Sequence, residues 1–144
     1  MIKPEVIIKL LESLREHVNL LRSVQSESLA SLTADLVRYN GVIHLLQICV
    51  EHVTDIGAHI LAGSGLEMPD EYRDIIIKLG QHRIIPRDFA ERIAPMTGFR
   101  NIVVHRYLTV DPAQVYAHLQ HGLDDFERFI VYIYEYLQRA GYVQ

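Results

Sequence analysis

The sequence predicts an all-α fold, an up-and-down bundle of about five helices with a long second helix. Three observations support this prediction. Apolar residues recur every three or four positions through most of the chain, as on the buried face of a helix. Prolines followed by acidic residues mark helix starts, and glycines mark helix ends. No segment alternates between apolar and polar residues for long enough to form a strand.

Each helix has its own apolar pattern. The first has a stripe over Val6–Leu21, and the second has a seam with heptad-like spacing over Leu29–Gly57 that includes Leu36. Tyr72 should face inward in the third helix, and the last helix has an apolar face over Val115–Leu137. The five helices are expected to span Pro4–Val24, Ser26 or Ser28 to Ala62, Pro69–Leu79, Arg87–Arg106 and Pro112–Arg139.

Single residues mark the boundaries and irregularities of these helices. Pro95 should kink or briefly break the fourth helix, because proline has no N–H for the helical hydrogen-bond ladder. Asp111 is suited to the N-cap of the last helix. Gly41 and Gly57 each indicate a bend or a close approach between helices. Helix ends are expected at Gly63-Ser64-Gly65, Gly80 and Gly141.

The chain length of 144 residues predicts one domain covering residues 1–144. Charges interrupt the apolar pattern near the N-terminus, unlike a signal peptide, and no apolar run is long enough to span a membrane. The one cysteine, Cys49, excludes an internal disulfide and suits a reducing compartment. Its place in an apolar helical pattern predicts inert burial. A cytoplasmic protein without membrane contact is therefore expected.

The net charge of −4 conceals a basic window between Lys78 and Tyr107. Six basic and two acidic residues give this window a charge of +4, whereas the rest of the chain has eight basic and sixteen acidic residues, or −8. Such a window favours an anionic ligand. It is equally consistent with a surface that pairs with the acidic helices of the same molecule.

The densest cluster of chemically active side chains is Arg100–Tyr107, with the sequence RNIVVHRY. Asn101 and His105 are four residues apart and share a helix face, whereas Arg100 and His105 are about 140° apart around a regular helix. Histidine exchanges protons near neutral pH, and arginine stabilises charge on phosphate. These groups suit cleavage of an RNA phosphodiester without a metal, by attack of the 2′-hydroxyl. They also suit a helix end that pairs with nearby carboxylates.

The motif resembles the Arg-x4-His-x-Tyr signature of HepT-like toxins in the HEPN superfamily, without substitution and with the usual spacing. The similarity extends over nearly the whole chain: HVTDIGAHIL, a glycine-containing loop, PDEYRDIIIKLG, MTGFRNIVVHRY, VDP and a last helix follow the order of that family. The resemblance implies a HEPN-like bundle that dimerises and brings two motifs together. It also implies a metal-independent ribonuclease toxin, without cofactor, whose substrate is tRNA or mRNA.

The resemblance assigns roles within the motif. Arg100 and His105 would be catalytic, and Asn101 would support them. Tyr107 matches the tyrosine that the partner antitoxin, a minimal nucleotidyltransferase (MNT), modifies with AMP. The added phosphate charge and bulk would block RNA beside the site. The arginines of the basic window that are candidates for RNA binding are Arg83, Arg87, Arg92 and Arg106.

Two alternatives remain open at this stage. The first is a non-catalytic HEPN module that binds a nucleotide or the partner nucleotidyltransferase. The second is a metal-binding bundle, in which two helix faces rich in histidine and aspartate would meet. Those faces carry His52, Asp55 and His59 on the second helix and His118, His121 and Asp125 on the last. The first face is also a candidate for lining an RNA cleft.

Overall fold

The computed structural model describes residues 1–99, 101 and 110–144. Within these ranges the chain is helical and contains no β-strand, so the all-α prediction is confirmed. A short 3-10 turn, Ala94–Met96, follows the fifth helix, and residues 97–99 and 101 are again helical. The α-helices are α1 Pro4–Arg22, α2 Leu29–Ala34, α3 Leu36–Gly63, α4 Tyr72–Gln81, α5 Arg87–Ile93 and α6 Pro112–Arg139.

The three long helices, α1, α3 and α6, pack against one another and enclose the core. Fully buried leucines and isoleucines of α1 meet the buried faces of α3 and α6, and Leu14, Leu46 and Leu119 illustrate the pattern. Burial of each such side chain contributes about 1.5–3 kcal/mol. The shorter α4 and α5 pack on each other, and α4 packs on α3. The predicted stripes of the first and last helices are confirmed by the buried residues of α1 and α6.

The predicted second helix is two helices, so its expected continuity is wrong. Ser28 caps α2, because its hydroxyl accepts a hydrogen bond from the Ser31 N–H at 3.1 Å. The chain then becomes extended at Asp35, whose carboxylate accepts from the Arg38 N–H at 3.2 Å and starts α3. Leu36 is 66% exposed, so the predicted seam does not continue through it. The capping residue Asp35 therefore sets the helix boundary, although the apolar pattern continues past it.

The third helix also begins later than expected. Glu71 has extended backbone angles, so α4 starts at Tyr72 rather than at Pro69. Tyr72 is 41% exposed and does not face inward, whereas Ile75, Ile76 and Leu79 are buried as predicted. The predicted break at Pro95 is confirmed: α5 ends at Ile93, and Pro95 lies in the 3-10 turn that follows. Proline cannot donate the N–H that a continuous helix would need there.

Two glycines bring α4 close to its neighbours. A Cβ added at Gly57 of α3 would lie 2.9 Å from Cγ2 of Ile75, and one added at Gly80 would lie 2.6 Å from Cβ of Ala90. The predicted close approach is therefore present at Gly57. At Gly41, no atom of the described ranges would contact an added Cβ, so that glycine is not a close approach. Gly141 has a φ of +82° just after α6, as its predicted role at a helix end requires.

Candidate functional site

The motif lies mostly outside the described residues. This holds for Arg100, His105, Arg106 and Tyr107, so of the site residues predicted within the motif only Asn101 is described. Asn101 is helical and exposed, so its amide can be reached by a ligand. The ring of Phe99, two residues earlier, is only 4% exposed and anchors the start of the motif in the core.

A cavity of about 300 Å³ lies beside this anchor, between the α5 region and α6. We call it the α5–α6 cavity. Its size is at the lower end of the range for small-molecule pockets, about 300–1,000 Å³. One wall comes from the chain leading into the motif, the other from α6, and part of α3 completes it. Its polar and aromatic lining includes Arg92, Phe99, His118, His121 and Asp125.

The carboxylate of Asp125 is the main polar group of this cavity. Its side chain is 16% exposed, and Oδ1 lies 3.2 Å from Nη2 of Arg92. The two atoms form an ion pair without hydrogen-bond geometry, so Oδ1 is buried with no hydrogen-bond partner among the described residues. A buried acceptor without a hydrogen-bond donor is costly, so a ligand N–H that reached this oxygen would be favoured.

An aromatic pair forms another part of the lining. The rings of Phe99 and His118 have centroids 5.0 Å apart and an interplanar angle of 63°, which is an edge-to-face contact. Burial lowers the pKa of His118 below its ordinary value of 6.5. Burial therefore favours the uncharged form of the His118 ring, whereas His121 is exposed at the rim.

The predicted RNA-binding arginines divide between two places. Arg92 borders the α5–α6 cavity, whereas Arg83 and Arg87 border a second cleft of about 500 Å³. Arg139 joins that cleft from the end of α6, and its Nη2 donates to the Arg83 carbonyl at 2.8 Å. Sequence reasoning missed Arg139 because it lies outside the basic window. Arg87 and Arg92 are five residues apart on α5, or about 7.5 Å along its axis.

The two histidine-rich faces considered for a metal do not meet. His52 belongs to the contact between α1 and α3, where its Nε2 lies 2.8 Å from the Ser13 hydroxyl and its ring packs edge-on to His17. Burial, and then the neighbouring His17, lower the pKa of His52. His118 faces the α5–α6 cavity instead. In the ranges that the structure covers, no three histidine, cysteine or acidic side chains converge as a metal-binding group.

The remaining predictions concern Cys49 and the membrane. Cys49 is fully buried, and burial raises the pKa of its thiol to about 12, so the predicted inert cysteine is confirmed. None of the helices in the described part of the chain is long and apolar enough to cross a bilayer.

Comparisons with known proteins agree with the helical architecture. The Ribonuclease HepT-like family matches residues 10–133. An mRNA nuclease HepT from Shewanella oneidensis is 30% identical over 126 residues, which cover 88% of this chain and 94% of that protein. A tRNA nuclease HepT from Aphanizomenon flos-aquae is 30% identical over 138 residues, which cover 94% of this chain and 92% of that protein.

One similar solved structure is a tri-AMPylated HEPN toxin from Shewanella oneidensis in complex with its MNT antitoxin. It is 30% identical to this chain and superposes with a TM-score of 0.81, covering 90% of this chain and 97% of the toxin. The predicted HEPN-like fold and the predicted resemblance are confirmed by these matches.

Proposed function

The chain belongs to the Ribonuclease HepT-like family, and we propose that it is the RNase toxin of a HEPN/MNT toxin–antitoxin pair. The observation that carries the proposal is the match to HepT nucleases over about nine tenths of both chains. The same share of the chain superposes on a toxin held by its antitoxin. Sequence, fold and length therefore support one function together.

We assign the chemistry to Arg100 and His105, with Asn101 in support. The 2′-hydroxyl of one nucleotide attacks the adjacent phosphorus, and the bond to the 5′-oxygen of the next nucleotide breaks. Histidine takes the proton from the hydroxyl or returns one to the leaving oxygen. Arginine stabilises the additional negative charge on the phosphorane. No metal is needed for this step, because the nucleophile belongs to the substrate.

We infer a homodimer from the resemblance to the HEPN family and from the spacing of these two residues. On a regular helix Arg100 and His105 would point about 140° apart, so one copy would direct both at a single phosphate only if that helix were distorted. Two copies that meet at the motif would supply an arginine and a histidine to each reacting group. A two-fold axis through the paired motifs satisfies this requirement.

Tyr107 is the proposed site of silencing. A similar toxin is AMPylated in its complex with the MNT antitoxin. Transfer of AMP to the Tyr107 hydroxyl would release pyrophosphate from ATP and leave a phosphodiester two residues from His105. That negative charge repels the RNA backbone from the site. The partner of this chain is therefore a nucleotidyltransferase of the MNT type.

The RNA backbone is proposed to follow the basic residues around α5. Arg83 and Arg87 share one cleft, and Arg92 borders the α5–α6 cavity next to the start of the motif. Arg106 would add a fourth cation within the motif itself. Substrate RNA and the antitoxin both point to the cytoplasm as the place of action. Lysine and arginine contacts of this kind weaken as salt concentration rises.

The test uses purified protein and total RNA in the presence of EDTA. Cleavage is expected, and His105→Ala should reduce its rate by about 10²–10⁴-fold, the usual contribution of a general acid or base. His44→Ala is the matched control, because His44 is exposed on α3. Intact RNA, or cleavage that His105→Ala leaves unchanged, would refute the assignment.

Co-expression with the cognate nucleotidyltransferase tests the silencing. The wild-type chain should gain the mass of AMP and lose its toxicity, whereas Tyr107→Phe should remain unmodified and toxic. An antitoxin that silences Tyr107→Phe as well as the wild type would remove Tyr107 from the proposal.

A further inference from the structure

We propose that the α5–α6 cavity is a nucleobase subsite that selects guanine in the RNA. The proposal rests on the ribonuclease function, since it gives this site a role in choosing where the RNA is cut. It concerns residues outside the catalytic motif, and each of them is in the described part of the chain.

The position of the cavity suits a base next to the scissile phosphate. Met96 and Phe99 line it, and the exposed Asn101 is two positions after Phe99 in the sequence. Its volume of about 300 Å³ accommodates one base with room for its sugar. Arg92 lines the cavity with a side chain that is 58% exposed, so its guanidinium can also meet a phosphate.

The carboxylate of Asp125 favours a base whose edge donates hydrogen bonds. A carboxylate accepts hydrogen bonds and donates none, and its buried Oδ1 has no hydrogen-bond partner among the described residues. Of the four RNA bases in their neutral forms, guanine has two adjacent donors on its Watson–Crick edge, N1–H and the 2-amino group. Both donors can bond to one carboxylate. Adenine, cytosine and uracil each present an acceptor to at least one of the two oxygens.

Arg92 completes the complementarity to guanine. Its Nη2 lies 3.2 Å from Asp125 Oδ1, so a donor stands beside the acceptor. Guanine has its O6 acceptor next to N1–H, and arginine is a common partner of that oxygen. The Phe99 and His118 rings supply an uncharged aromatic surface against which the flat base can pack.

Gly122 keeps the cavity open on the α6 side. It lines the cavity in the interior of α6, where no atom of the described residues lies within 4 Å of an added Cβ. A larger side chain at this position would enter open space rather than a packed neighbour. Gly41 is similarly uncrowded in the interior of α3 but does not line the cavity, so it offers a matched control.

The direct test is titration of the full-length protein with the four nucleoside monophosphates by calorimetry. We expect GMP to bind about tenfold or more tightly than AMP, CMP or UMP, the size of one bidentate base contact. Asp125→Asn should remove this preference, because the amide places a donor against N1–H. Asp70→Asn makes the same change of charge in the exposed loop before α4 and should leave the preference intact.

Cavity filling provides a second, independent variant. Gly122→Leu should abolish GMP binding while the helical circular dichroism and the oligomeric state remain those of Gly41→Leu. Equal binding of all four nucleotides, or GMP binding that survives both Asp125→Asn and Gly122→Leu, would overturn the proposal.

The outcomes distinguish a failure of the guanine subsite from a failure of the proposed ribonuclease function. RNA cleavage with His105 dependence but without GMP preference refutes the guanine subsite and leaves the ribonuclease standing. GMP binding that depends on Asp125 supports the subsite, even if no RNA is cut and the ribonuclease proposal fails. Mapping of cut sites then reports whether guanine flanks the cleaved bond in the wild type and loses that preference in Asp125→Asn.

Discussion

On the side of α6 that faces α1, Asp124 accepts a hydrogen bond from Arg22 at 2.6 Å, and Glu127 lies 3.2 Å from the same guanidinium. One residue further along, on the side that faces α5, Asp125 is mostly buried and its Oδ1 has no hydrogen-bond partner among the described residues. The same residue type therefore accepts a hydrogen bond on one side of the helix and lacks one at its buried oxygen on the other.

The apolar packing also differs between these two sides of α6. The α1 side is filled by residues such as Leu11 and Leu14, which have at most 1% exposure. Towards α5, the described contacts include the edge-to-face pair of Phe89 and Tyr132 and the ion pair of Arg92, with the cavity between α5 and α6. The comparison suits a division in which the α1 side provides stability and the α5 side provides the proposed nucleobase subsite.

The largest expected effect is on the free energy of unfolding. Leu14→Ala should cost about 2–5 kcal/mol, because the fully buried side chain leaves a void among packed neighbours. Met96→Ala should cost less, about 2 kcal/mol, because the Met96 side chain already borders a cavity. Urea unfolding followed by circular dichroism measures both. Equal losses would contradict the division into a stability side and a site side.

Smaller effects on the free energy of unfolding, opposite in sign to each other, are expected from substitutions of two glycines. Gly122→Ala should stabilise the protein by about 0.5–1 kcal/mol, because alanine is the better helix former and the added Cβ enters open space. Gly80→Ala should destabilise it by about 1–3 kcal/mol, because its Cβ would overlap that of Ala90. Thermal unfolding compares the two variants. A loss of stability in Gly122→Ala would show that the space beside it is needed for folding.

The smallest expected effect is the change in the free energy of unfolding at acid pH. The hydrogen bond from Arg22, and then its charge, lower the pKa of Asp124 below its ordinary 3.8. The stabilisation is therefore fully present above pH 3.8 and is lost as pH falls through the lower pKa of the folded state. Because Asp124 is exposed, the change should be small and should weaken with added salt. Asp124→Asn should flatten this part of the stability–pH curve, whereas Asp70→Asn should not.

Capping residues and prolines predicted the helix boundaries that depend on residues adjacent in the sequence. The Asp111 carboxylate caps α6 by accepting from the Ala113 N–H at 2.9 Å, and Pro95 ends regular helix where expected. Periodicity alone was less reliable, because Leu36 fits the apolar seam and is exposed. The extended Asp35 cap changes the phase of the helix, and a periodic pattern cannot register such a break.

From the sequence we could predict the helical class, the buried stripes of α1 and α6 and the motif Arg100–Tyr107, because each depends on residues within a few turns of one another. Only the tertiary structure brought Arg139 to Arg83 and placed Asp125 beside Arg92. It also decided that His52 contacts α1 while His118 faces the cavity. These outcomes depend on how separate helices pack, and spacing along one helix does not contain that information.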